Sequence, residues 1–126
     1  MKNQYRDIEF EPKAPDDVKR FITLTQAIDF VAVCLEQDDV PALASELETM
    51  QARLAYDPGY LGYFIPAIFS QLKDLHEKKD LRSAVIPDDA SEYELRFSDF
   101  TLIGMHVRFA RHSDGWLIHD MYLTRA

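Results

Sequence analysis

The chain has 126 residues, 47% of them hydrophobic and 29% charged, with a net charge of −8. That length and balance predict a single globular domain, residues 1–126, large enough to bury its own core. The acidic excess argues against a nucleic-acid partner, which demands a basic footprint. No run approaches the roughly 18 apolar residues of a membrane span, and the single cysteine, Cys34, excludes an intrachain disulfide.

Residues 1–60 hold twelve acidic and six basic side chains, and residues 61–126 hold ten and eight. Most of the negative charge therefore lies in the first half. A solvated surface explains it most simply; a face that recognises a basic protein partner is the alternative. The charged N-terminus lacks the apolar stretch of a signal peptide, so a cytoplasmic location is expected.

Residues 1–15 read as an arm, either a loose tail or a short edge strand at Ile8–Phe10 that Pro12 and Pro15 end. A helix follows. Asp16 or Asp17 offers one cap, and the capping-box pattern Thr23-x-x-Gln26 offers a second. Leu24, Ala27, Ile28, Val31 and Leu35 recur at helical spacing, with Phe30, Val33 and Cys34 widening the stripe. Cys34 reads as a small core residue. The helix is expected to end near Gln37.

Asp38-Asp39-Val40-Pro41 predicts the next helix start, with an aspartate cap and proline in the first turn. Its stripe runs through Leu43, Ala44, Leu47, Met50 and Leu54, with Glu46 and Glu48 facing water, until the turn signal Asp57-Pro58-Gly59. Pro66 predicts a break, with a short helical turn at 60–64 and a separate helix from Pro66 onward. Ile65, Ile68, Phe69, Leu72 and Leu75 form its inner face. Residues 81–87 suit a helix end or a short strand equally.

Alternation predicts a strand over 92–97, and a three-residue connection, 98–100, would set Phe97, Leu95 and Tyr93 beside Thr101, Ile103 and Met105. The segments 100–111 and 116–124 read as strands around Ser113-Asp114-Gly115. A two-residue loop at Asp114-Gly115 would mix Asp120 with core residues. A three-residue loop with Gly115 in a left-handed bulge sorts the faces better. It pairs Phe109 with His119, Val107 with Met121 and Met105 with Leu123 on the helix-facing side. It sets Ala110 with Ile118, Arg108 with Asp120 and His106 with Tyr122, together with Trp116, on the outer side. These elements give an α+β fold: N-terminal helices packed on one face of a C-terminal curved antiparallel sheet.

The closing Ser-Asp-Gly-Trp-Leu-Ile-His-Asp hairpin (113–120) and two opening helices with the acidic junction Gln37-Asp38-Asp39-Val40 resemble the nuclear-transport-factor-2-like (cystatin-like cone) superfamily. The resemblance covers about two thirds of the chain. It implies a curved sheet wrapped around a long helix, and often a homodimer through the outer sheet face. The superfamily includes isomerases, dehydratases, ligand binders and immunity proteins, so the fold does not fix a function.

Among single residues, His119 is the candidate acid/base, as a histidine on the helix-facing side. His119, Phe109, Met121, Tyr93 and Met105 would line a pocket for a small apolar ligand. Trp116, Ile118, Ala110, Arg108, Asp120 and Tyr122 form an outer patch rich in the residue types of interfaces, which predicts a homodimer. His106 and His112 stand roughly 20 Å apart along one strand and cannot share a metal. His76 and Asp80 at i and i+4 are too few ligands for one. No phosphate loop, nucleophile elbow or Cys/His cluster occurs, so no cofactor is expected. The leading expectation is a binding or interaction module; the alternatives are a small enzyme or ligand binder using His119, and an acidic immunity-type protein.

Overall fold

Helices occupy the N-terminal half, and a curved three-stranded antiparallel sheet forms the C-terminal end of an α+β domain. The computed structural model describes residues 13, 15–49, 59–78, 81–83, 86, 90–98 and 103–125. The expected strand at Ile8–Phe10 lies outside them.

Helix α1 spans Leu24–Glu36 and uses the second of its two expected starts. Thr23 Oγ1 accepts from the Gln26 amide at 3.2 Å, and Gln26 Oε1 accepts from the Ile22 amide at 3.1 Å. Two of the helix's otherwise orphaned first-turn donors or their neighbours are thereby satisfied. Pro15–Asp17 forms a separate 3-10 turn. Leu24, Ala27, Ile28, Val31, Ala32, Cys34 and Leu35 are all buried, so the wide stripe is covered on more than one side. At the far end Asp38 adopts φ 56°. Its amide reaches the Leu35 carbonyl at 3.3 Å and the Asp39 amide reaches that of Cys34 at 2.9 Å. This is a Schellman end with aspartate where glycine is usual.

Helix α2 is only Val40–Ala44, capped by Asp39, whose Oδ1 accepts from the Ala42 amide at 3.2 Å. The expected run to Leu54 is corrected here. The chain turns at Ser45 and Glu46, and Leu47 makes a parallel bridge to Ile118. Leu47 remains a core residue, but it reaches the core beside the sheet instead of on a continuing helix. Glu46, expected in water, is 4% exposed. Its carboxylate accepts from the Lys13 ammonium and from the Lys19 backbone amide. A carboxylate this buried needs such partners. Met50 and Leu54 lie outside the described residues.

Helix α3 runs unbroken over Gly59–Lys78, so the break expected at Pro66 does not occur. Proline removes the hydrogen bond to the Gly62 carbonyl, a cost that packing over the remaining turns exceeds. Ile68, Phe69 and Leu72 are buried and Leu75 packs against the core, as the spacing predicts. After α3, Leu81–Ser83 is a 3-10 turn. Arg82 holds it on α1 with a two-pronged contact to Glu36 at 2.8 and 3.2 Å and a third bond to Asp29 at 2.7 Å.

The sheet is a meander of β1 (Glu92–Ser98), β2 (Ile103–His112) and β3 (Gly115–Arg125), in the order β1-β2-β3. Tyr93 pairs with Phe109, Leu95 with Val107 and Phe97 with Met105. The expected connection is therefore too short by four residues, although the same side chains share the same face. Between β2 and β3 the pairs Arg108–Asp120, Val107–Met121, His106–Tyr122 and Met105–Leu123 are those expected. Nearer the turn the expectation is corrected. His112 faces Gly115, Arg111 faces Trp116, Ala110 faces Leu117 and Phe109 faces Ile118. The loop is Ser113-Asp114, and the extra residue is His119, not Gly115.

Gly115 serves a different purpose. Phe21 and Trp116 exchange two backbone hydrogen bonds of 2.7 Å, which tie the approach to α1 onto the edge of β3. Gly115 has φ +136°, and a Cβ there would lie 2.7 Å from the Phe21 carbonyl oxygen. Only glycine fits a backbone crossing this close.

Candidate functional site

The bulge that makes His119 the extra residue leaves its carbonyl outside the ladder, and Thr49 Oγ1 donates to that oxygen at 2.7 Å. The neighbouring Glu48 takes the side chain: His119 Nδ1 donates to Glu48 Oε1 at 2.8 Å. His112 Nε2 lies 3.8 Å from the other oxygen of the same carboxylate. His119 is thus not a residue of the inner face opposite Phe109. It sits at the sheet edge, 31% exposed, in a carboxylate–imidazole pair. Glu48, expected to face water, is the group that orients it. Pairing through Nδ1 leaves Nε2 with no partner among the described residues.

The other predicted ligand-lining residues belong to the packed core. Phe109, Met105 and Met121 are fully buried in it, and Tyr93 packs against its margin. Among the described residues, no group of three His, Cys, Asp or Glu is placed to hold a metal ion. His76, one of the weak metal candidates, faces Glu36 at 3.8 Å instead; its proposed partner Asp80 lies outside the described residues.

The expected outer patch divides in two. Trp116 and Ile118, at 7% and 0% exposed, point inward and join the core, which corrects their assignment as outer-face residues. Arg108, Ala110, Asp120 and Tyr122 do lie on the outer face, half-buried. They stand beside two residues the sequence reading passed over, Glu94 and Arg96 of β1. Glu94 Oε1 accepts from Arg96 Nε at 2.8 Å and from His106 Nδ1, and Arg108 Nε lies 4.0 Å from its second oxygen. The His106 ring stacks on Tyr122, with centroids 4.7 Å apart and planes 3° from parallel.

Arg108 faces Asp120 in the register, yet its guanidinium leans to Glu94, while Asp120 accepts from the Met121 amide at 2.9 Å. Partial burial alone would raise the Glu94 carboxyl; the bonds from His106 and Arg96, with the charge of each, pull it below the usual value. Glu94 was legible in principle: the alternation 92–97 puts it outward, and the pairing to Arg108 required only the longer β1–β2 connection. No family model, curated protein or solved structure matches the chain.

Proposed function

We propose that the chain is a non-catalytic binding module that pairs with a second copy of itself through the outer face of its sheet. The supporting observation is the mixed-charge patch on that face. Arg96 and Arg108 are matched there by Glu94 and Asp120, around the stacked His106 and Tyr122. On a chain of net charge −8 most surface repels its own copy. A patch that mixes both signs, Glu92, Glu94 and Asp120 with Arg96 and Arg108, is repelled less, and two copies related by a two-fold axis can set Arg108 of each against Asp120 of the other. Tyrosine and arginine are also the side chains that dominate binding energy at interfaces. The reading fits the nuclear-transport-factor-2-like resemblance, which implies the same pairing face.

Sedimentation velocity at micromolar concentration tests it. The expected result is a dimer that Arg108→Glu converts to a folded monomer. A parent protein that sediments as a monomer, or a dimer indifferent to Arg108→Glu, refutes the reading.

A second reading rests on the Glu48–His119 pair. A carboxylate that holds one imidazole nitrogen and leaves the other without a protein partner is the arrangement of a general acid/base. A fragment screen followed by amide chemical shifts decides whether the place binds anything. Fragments that move Glu48 and His119 together favour it, and a screen without such fragments removes it.

A further inference from the structure

Away from the outer sheet face, a groove opens where the chain enters α1. Lys19, Phe21, Ile22, Gln26 and Phe30 contribute to its wall, and it is open to solvent, with a volume of about 590 Å³. That size falls within the range of small-molecule sites, roughly 300–1,000 Å³. Phe21 and Phe30 form the floor, with ring centroids 5.3 Å apart. Among the described residues, Ile22 is the one large apolar side chain left in solvent, 85% exposed. Burial of such a side chain is favourable, and nothing in its surroundings supplies it.

The charges around the groove are not equivalent. Arg20 is engaged by Asp114 at 3.2 Å and by the Val18 carbonyl at 2.7 Å. Asp29 is engaged by Arg82 at 2.7 Å. The Lys19 ammonium has no carboxylate partner among the described residues, although the chain holds 22 acidic side chains. It stands 5.3 Å from the centroid of each ring, so cation–π attraction fixes it over the floor. Its backbone amide is anchored on buried Glu46, which keeps the residue in place.

We propose that this groove binds a small organic acid with a flat apolar body. The body covers Phe21, Phe30 and the exposed Ile22, and its carboxylate pairs with Lys19. An uncommitted cation above an aromatic floor distinguishes such an acid from a neutral apolar ligand. A site lined by balanced ion pairs would not. The proposal does not depend on self-association through the sheet.

The probes are naphthoate and its neutral analogue naphthamide, titrated to millimolar concentration while amide chemical shifts are recorded. The expected result is saturable shifts clustered at Phe21, Ile22, Thr25 and Phe30, with the acid bound about three- to ten-fold more tightly than the amide. Lys19→Met is expected to abolish that preference, and the distant Lys73→Met to preserve it. Ile22→Ser, at a position 85% exposed, is expected to weaken both probes alike. Equal binding of acid and amide to the parent protein, shifts centred elsewhere, or none at all overturns the proposal.

Discussion

Gly115→Ala is expected to be among the most damaging single-atom additions this chain can receive. The new methyl would sit 2.7 Å from the Phe21 carbonyl oxygen and 3.3 Å from the Arg20 Cβ, on a backbone at φ +136°. A side chain in that region costs on the order of 1–3 kcal/mol. Backing away from Phe21 also sacrifices the paired 2.7 Å hydrogen bonds between Phe21 and Trp116, each worth about 1 kcal/mol net. Because moving the strand relieves part of the strain, the two costs overlap. A loss of about 2–4 kcal/mol follows. With a urea slope of about 1.5 kcal/mol/M, the midpoint falls by about 1.3–2.7 M. Amide exchange localises the effect: protection at Phe21 and Trp116 collapses while that of the β1–β2 pairs persists. A loss below about 0.5 kcal/mol with both amides still protected would refute the claim that the glycine exists for this crossing.

Asp38→Gly has the opposite sign. It relieves a left-handed aspartate at φ 56°, a gain that outweighs the half-buried 3.5 Å pair with Lys73, so stability rises by about 0.5 kcal/mol, read as a slightly higher thermal midpoint. Glu46→Ala, by contrast, strips the Lys13 ammonium and the Lys19 amide of their buried acceptor and costs about 2–3 kcal/mol in a denaturant titration. The Glu94 carboxyl, held below the usual glutamate range in the folded state by His106 and Arg96, contributes stability that is complete above that range and lost as pH falls through the lowered value; Glu94→Gln therefore flattens the loss of stability on acidification. Cys34, pushed up to about 11 by burial and then by the Asp39 carboxylate, stays inert to thiol reagents at pH 8 until urea unfolds the chain.

The architecture was legible because periodicity reports which face is apolar, and burial decides faces. The caps at Thr23 and Asp39, the stripe of α1, the inner face of α3 and the alternation of β1 all follow from side-chain chemistry within a few residues. What local patterns cannot carry is tertiary override. Pro66 reads as a break, yet one missing hydrogen bond is small against the packing of a twenty-residue helix. Leu47 keeps helical spacing with Leu43, and only the neighbouring edge of β3 makes a bridge preferable to another turn. Glu46 reads as solvated because nothing near it in sequence announces Lys13 and Lys19 as partners. The paired glutamates at 48 and 94 were missed for the same reason: their histidines lie 71 and 12 residues away in sequence.

The misplaced bulge is the most instructive case, since the signal for it was present. On β2 the inward residues Met105, Val107 and Phe109 share one parity throughout. On β3 the apolar residues Trp116 and Ile118 have even numbers, and Leu117, Met121 and Leu123 odd. No uninterrupted strand turns Trp116, Ile118 and Met121 the same way, and the bulge that does so leaves Leu117 on the other side beside Ala110. An outer face carrying an indole and an isoleucine is the symptom of forcing an uninterrupted strand. A single extra residue between Ile118 and Asp120 resolves the conflict, and the structure puts it there. The residue that absorbs the change of parity must tolerate a half-exposed place with its backbone out of the ladder. His119 does so because Thr49 holds its carbonyl and Glu48 holds its Nδ1. The position most open to chemistry on this sheet is therefore a by-product of burying Trp116 and Ile118. The outer patch of Glu94, Arg108 and Tyr122 has no such origin, because burying Trp116 and Ile118 does not require it.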